Sequence, residues 1–313
     1  MNTGCTAVVK HRHAACVQAI QLVLMPRVWW LDRVPSPAVP FGMTTLAAVQ
    51  MVSTPDVAEN LTTAARLIAE ACAAGAEFVS LPEYFCMIGS ADGERLAIGE
   101  PAGSGPIQQF LAALAARHGV WVLGGTVPIR TGDGSRVRNA SCLFAPDGRM
   151  AARYDKMHLF AFVNDAEAYD EATVLEAGDQ PVRVEAAGMH VGLSVCYDLR
   201  FPELYRVLTT MSGAPPLDLI CAPSAFTHAT GAKHWELLLR ARAVENQCYV
   251  LAAAQGGVHR NGRRTFGHSM IVDPWGEIMA CVEDGEGVAI ATLDHARIAS
   301  VRAQLPALRH RRL

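Results

Sequence analysis

GLSVCYDLRFPE, Gly192–Glu203, ends an apolar run on a cysteine and then turns abruptly charged. With the residues before it the run reads HVGLSV, short and apolar enough for a buried strand. Pro202 has the fixed φ that suits a first helical turn, so FPELYRVLTTM is expected to start a helix. Strand, turn and helix in close succession are the unit of α/β layers. The thiol of Cys196 falls at the junction, followed by Tyr197, Asp198, Arg200 and Glu203. A strand end facing a helix N-terminus is electropositive and lowers a thiol's pKa, which suits a nucleophile, while a cysteine in an apolar run on its own also reads as an inert core residue.

The same alternation begins at Met43. MTTLAAVQM is a strand, and STPDVAENLTTAARLIAEACAAG a helix. Ser53 or Thr54 can cap that helix, and Val57, Leu61, Ala64, Ala65, Ile68 and Cys72 recur at helical spacing. EFVSLPE is a buried strand, PIQQFLAALAARHG a helix stopped by Gly119, and VWVLGGTVPI one strand. ASCLFAPDGRMAARYDK and HSMIVDPWGEIMACV read as hairpins. LDLICAPSAF and CYVLAAAQ are strands on either side of the helix HWELLLRARAVENQ, and GVAIATLD closes the series. The pattern predicts an α/β fold with mixed parallel and antiparallel pairing. Residues 1–42 show no clean period and end in a Pro-rich stretch. They read as an N-terminal extension, disordered or a misassigned start, ahead of one domain over 43–313.

Composition narrows the function. The 313 residues are 51% hydrophobic and 18% charged, which suits a large folded core and not disorder. A net charge of −3 without basic blocks gives no reason to expect nucleic acid or an anionic membrane as partner. The apolar run AACVQAIQLVLM is too short to span a bilayer. Nine cysteines, an odd number with no CxxC pair, fit neither a disulfide framework nor a zinc ribbon, and fit a reducing cytoplasm. The histidines include no HExxH, so neither a metal nor another cofactor is expected.

Two other strand ends carry chemistry. VSLPEYF ends on Glu83, where a carboxylate facing a cleft is placed for proton transfer. RYDKMHLF sets Lys156 after a hairpin, where an ammonium could stabilise an oxyanion and favour a thiolate. In order, LPEYF, YDKMHLF and CYDLRFPE resemble the motifs of the carbon–nitrogen hydrolase, or nitrilase, superfamily, and the likeness runs from about Met43 to Leu308. It implies a four-layer αββα sandwich with a Glu–Lys–Cys triad. Cys196 would attack an amide carbon, Glu83 would shuttle the proton, and Lys156 with the Tyr197 backbone N–H would hold the oxyanion. Glu171 matches a second carboxylate that orients the lysine. Asp198, Arg200 and Glu203 match a network supporting the cysteine turn.

Within the superfamily, CYDLRFPELYR and GHSMIVDPWGE most resemble the branch of deaminated glutathione amidases, beside the ω-amidases. That implies a primary amide of a small linear carboxylated substrate, cleaved to acid and ammonia through a thioester. Arg200, AFTHATG and HRNGRR are candidates to meet the carboxylate. Other enzymes of the superfamily, nitrilases and N-carbamoyl amidohydrolases, share the triad. A Cys–His thiol enzyme using His158 is a rival mechanism. FVNDAEAYDE departs from the Gly-bearing loop expected after the lysine. The resemblance also implies a homodimer or higher oligomer through helical faces.

Overall fold

Side-chain alternation along the first strand, β1 (Met43–Gln50), sets the layers. Leu46 and Ala48 point to one side and Ala47 and Val49 to the other, and both sides are fully buried. The structure, a computed structural model, describes residues 42–91, 93–163, 168–211 and 213–312. Of the extension expected over 1–42, all but Gly42 lies outside the described residues.

After β1 come α1 (Val57–Ala73), β2 (Phe78–Ser80), the short α2 (Glu94–Ala97), α3 (Pro106–His118), β3 (Trp121–Leu123) and β4 (Val127–Arg130). The hairpin β5 (Val137–Phe144) and β6 (Met150–Asp155) follows, then a small ribbon of β7 (Ala161–Val163) and β8 (Ala168–Asp170). The second half runs β9 (Val182–Ala186), β10 (Met189–Leu193), α4 (Pro202–Thr210), β11 (Leu219–Cys221), α5 (His228–Asn246) and β12 (Tyr249–Ala252). A second ribbon, β13 (Gly256–Val258) with β14 (Arg264–Phe266), leads to β15 (Ser269–Val272), β16 (Ile278–Val282), β17 (Gly287–Asp294) and α6 (His295–Gln304).

One sheet has seven strands in the order β17-β1-β2-β3-β5-β4, with β6 along β5. The other has six, ordered β16-β15-β12-β11-β10-β9. In each, three central strands are parallel, β1-β2-β3 and β10-β11-β12, and the outer pairings are antiparallel. Leu46, Phe78, Leu123 and Leu143 of the first sheet share one core with Val191, Leu193, Leu251 and Met270 of the second. Val49, Val79 and Val122 face outward onto Leu67 and Ile68 of α1 and Leu111 and Leu114 of α3. Behind the second sheet lie Tyr205 and Leu208 of α4 and Trp235 and Leu239 of α5. Gly192 leaves room for the Leu217 side chain, whose Cδ1 would stand 2.6 Å from a Cβ there. The result is the expected αββα sandwich, its central strands buried on both faces. Each buried Leu or Phe stabilises it by roughly 1.5–3 kcal/mol.

Three local expectations change. Asp56, not Ser53 or Thr54, caps α1, accepting from the Glu59 N–H at 3.1 Å. α5 begins at His228, six residues before the predicted start, because Thr227 caps it through the Thr230 N–H. VWVLGGTVPI is two strands, broken at Gly124-Gly125, for a reason that belongs to the site.

Candidate active site

Beyond β2 the chain runs through Leu81 and Pro82 to Glu83, which is 1% exposed. Gly125 backs onto this turn with φ +48, and a Cβ there would lie 1.9 Å from the Pro82 carbonyl oxygen. No other residue type fits so close, so the strand must break where it passes Glu83. Directly after β6 stands Lys156, with no exposed surface. Its N–H donates to Asn139 O at 3.1 Å and its carbonyl accepts from the Gly178 N–H at 2.8 Å. Beyond β10, Cys196 opens a tight 3-10 turn, Cys196–Arg200, with a left-handed φ of +50. That conformation costs a non-glycine residue roughly 1–3 kcal/mol unless its surroundings hold it.

The turn is held from several sides. Asp198, fully buried, accepts from the Val195 N–H at 2.8 Å and the Tyr154 hydroxyl at 2.7 Å. It also accepts from the His158 N–H at 3.1 Å, and His158 Nδ1 lies 2.7 Å away. The Cys196 N–H donates to Pro223 O at 3.0 Å, and Arg242 Nη2 to Leu199 O at 2.6 Å. Replacing Asp198 by asparagine removes the charge and strands one of these donors. It should lower unfolding free energy by about 1–3 kcal/mol in urea titrations, with a matching fall in activity.

Lys156 joins the charged groups. Its Nζ donates to Glu83 Oε1 at 2.9 Å and to Glu171 Oε2 and Oε1 at 2.7 and 3.0 Å. Asn139 Nδ2 donates to the same Glu83 oxygen at 2.8 Å, and Glu83 Oε2 bonds no described residue. Glu171 also accepts from the Tyr84 hydroxyl and the Phe160 N–H, both at 2.7 Å. Burial works against the lysine's charge, but Glu171 and Glu83 hold it protonated well above the usual lysine range. Burial likewise pushes Glu171 up. The Lys156 ammonium and the two hydrogen bonds outweigh it and keep Glu171 ionised below the usual range.

Cys196 behaves differently from the sequence expectation. Burial, then the Glu83 charge, push its thiol well above the ordinary range, while Lys156 and the Ala225 N–H pull the other way. The electropositive helix N-terminus is missing because α4 begins only at Pro202, after the 3-10 turn. The resting group is therefore S–H. Alkylation by iodoacetamide should be slow at pH 7 and still climb with pH beyond about 8.5, where the rate of an unperturbed thiol levels off. A rate already at its plateau at pH 7 would contradict this.

Glu83, Glu171 and Cys196 line one narrow cleft walled by Phe160, Tyr197 and Phe226. The thiol and the Glu83 carboxylate share it without a direct hydrogen bond. The Tyr197 N–H donates to no described residue. Arg200 also lines the cleft, its guanidinium 5.7 Å from the Tyr197 ring centre and 5.4 Å from that of Phe226. Among the described residues it meets no carboxylate, so it does not brace the turn as expected, and exposed Glu203 does not either. Arg242 takes that part. It falls on the buried face of α5 with Trp235, Leu239 and Asn246, a helical spacing that marks it in the sequence. Asn139 carries no such signal. His158, the rival base, is bound to Asp198, stacks on Phe201 at 3.7 Å, and does not line the cleft.

Other buried thiols stay outside the cleft, and burial pushes those of Cys86, Cys142 and Cys248 up to about 12. Among the described residues no group of three or more His, Cys, Asp or Glu could hold a metal ion. No described helix is long and apolar enough to cross a membrane.

The carbon–nitrogen hydrolase family matches residues 45–303. A deaminated glutathione amidase of Synechocystis is 43% identical over 269 residues, 85% of this chain and 97% of that protein. The human deaminated glutathione amidase is 38% identical over 278 residues, 85% of this chain and 82% of that one. The crystal structure of Saccharomyces cerevisiae Nit3, a nitrilase-superfamily member, aligns with a TM-score of 0.78 at 30% identity, covering 87% of this chain and 97% of that one.

Proposed function

The chain belongs to the carbon–nitrogen hydrolase family, and we propose that Cys196, Glu83 and Lys156 cleave the amide bond of a small, linear, carboxylated substrate, deaminated glutathione foremost. One observation carries the reading: a fully buried lysine bridges two carboxylates beside the cleft that one cysteine lines. Glu83 Oε2 takes the thiol proton as Cys196 Sγ attacks the amide carbon. The Lys156 ammonium and the Tyr197 N–H hold the oxyanion. Collapse returns the proton to the leaving nitrogen and leaves a thioester. Water then attacks, giving its proton to Glu83, and the acid departs as the thiol is restored. Glu171 holds the lysine charged and aimed throughout.

The substrate class has two supports. The relatives from Synechocystis and human are named for deaminated glutathione. Arg200, lying in the cleft without a carboxylate partner, suits a carboxylate on the acyl side. The leaving group is ammonia for a primary amide and the amine of cysteinylglycine for deaminated glutathione, so product analysis separates the two. The purified protein is assayed with deaminated glutathione and α-ketoglutaramate. Turnover of neither would end this reading.

Replacing Glu83 by glutamine should lower kcat roughly 10²–10⁴-fold on the preferred amide. Replacing His158 by phenylalanine should change it far less, and the reverse order would restore the Cys–His mechanism. A homodimer through α5 belongs to the same proposal, since Leu237, Val244 and neighbouring Trp275 are exposed around a groove on that helix. Light scattering that returns a monomer would remove it.

A further inference from the structure

Next to the catalytic cleft lies a second, wider pocket of about 290 Å³ that shares three of its residues, Phe160, Glu171 and Arg263. Cys196 and Glu83 belong to the inner cleft, and Arg95, Tyr169 and Asn261 to the outer pocket. Arg263 thus stands at the junction. Its guanidinium donates from Nη2 to Ala225 O at 3.2 Å and lies 5.0 Å from the Tyr169 ring centre. Its Nε is buried without a partner, and among the described residues it meets no carboxylate.

The backbone around Arg263 is fastened. Its N–H donates to Asn261 Oδ1 at 2.9 Å, and Asn261 Nδ2 to Gly89 O at 2.7 Å. The His259 N–H donates to Arg263 O at 2.8 Å, and the buried His259 ring sits 2.8 Å from both Ser53 O and Thr265 Oγ1. A guanidinium with donors to spare is therefore held where the two pockets meet, an arrangement that suits a fixed anion. Across the outer pocket Arg95 lies 4.2 Å over the Tyr84 ring. The pocket's own carboxylates do not pair with Arg263: Glu171 is bonded to Lys156, and exposed Asp170 accepts from the Ala172 N–H at 3.0 Å.

We propose that the outer pocket is the leaving-group subsite, and that Arg263 recognises a carboxylate on the amine side of the scissile amide. The inference rests on the amidase reading and deepens it. The acyl half meets Arg200 inside the cleft, and the amine half extends past Phe160 to Arg263. A dipeptide amine ending in a carboxylate fits, whereas a primary amide leaves the outer pocket unused.

The test compares three substrates, deaminated glutathione, its glycine carboxamide and α-ketoglutaramate, on the wild type and Arg263→Gln. The expected result is a loss in kcat/KM of roughly tenfold or more on deaminated glutathione alone, the size of one charge-assisted hydrogen bond. Arg263→Lys should recover part of it, and Arg264→Gln, in the exposed neighbour, should change nothing. Equal losses on all three substrates, or no loss, would overturn the assignment. If the wild type cleaves none of them, the amidase reading fails instead. Calorimetry on Cys196→Ala then decides the subsite by itself: equal affinity for the carboxylate and the carboxamide would sink it.

Discussion

Replacing Cys196 by alanine is expected to stop amide hydrolysis while leaving the fold in place. Without the sulfur there is no thioester. Removal of a catalytic nucleophile in a comparable covalent hydrolase costs about 10⁶ in kcat. The structural cost should be small. The thiol donates no hydrogen bond to a described residue, and the turn is held by the Asp198 carboxylate and by backbone bonds that alanine keeps. Stability should move by no more than about 1 kcal/mol. Product release and a thermal melt on the same preparation check both halves. Full activity with an unchanged melt would mean that the cysteine is not the nucleophile.

Lys156→Met should be the most damaging exchange for activity and stability together. Losing one oxyanion donor lowers kcat roughly 10²–10³-fold. The substitution also leaves Glu83 and Glu171 buried without their counter-charge, and breaking a buried pair from one side costs roughly 3–5 kcal/mol. The pH dependence separates the two effects. In the wild type, Glu171 is held below the usual carboxylate range, so its contribution is present at neutral pH and lost as pH falls through that depressed value. In the variant only the Tyr84 and Phe160 hydrogen bonds remain to lower it, against the burial that raises it. The difference in melting temperature between the two proteins should therefore narrow as pH falls from 7 towards about 4, where carboxylates protonate unaided. A gap that stays constant over that range would show that the lysine's charge is not what the carboxylates lose.

Much of this was legible because Glu83 and Cys196 each end an apolar run, whereas Lys156 follows Arg153, Tyr154 and Asp155 at the end of a hairpin strand and stands out only through its motif. Glu83, Lys156 and Cys196 each stand within three residues of a strand, and a polar group is tolerated there only if something buried answers it. Strand–helix alternation likewise exposed the α/β layers, while the four-layer sandwich, with Ala47 and Val49 in one core and Leu46 and Ala48 in the other, was what the family resemblance implied. What stayed hidden depends on distant pairing. Asn139 lies in the middle of β5 and becomes part of the site only because β6 returns beside it. The break at Gly125 is set by the Pro82 carbonyl, in the turn that follows β2. The thiol was misjudged for a local reason. Pro202 marks a helix start correctly, but the 3-10 turn before it moves the helix end away from the sulfur and lets burial dominate. Arg242, to which the sequence reading gave no role, braces the cysteine turn in place of Arg200, because it lies on a buried helix face.

The most direct measurement is interception of the acyl group. During turnover of an amide substrate in the presence of hydroxylamine, a thioester on Cys196 would be captured as the acyl hydroxamate. Hydroxamate formation should saturate with hydroxylamine, draw from the same intermediate as the free acid, and vanish in Cys196→Ala. Steady amide turnover with no hydroxamate at any hydroxylamine concentration would mean that water attacks the amide directly, contradicting a covalent role for the cysteine.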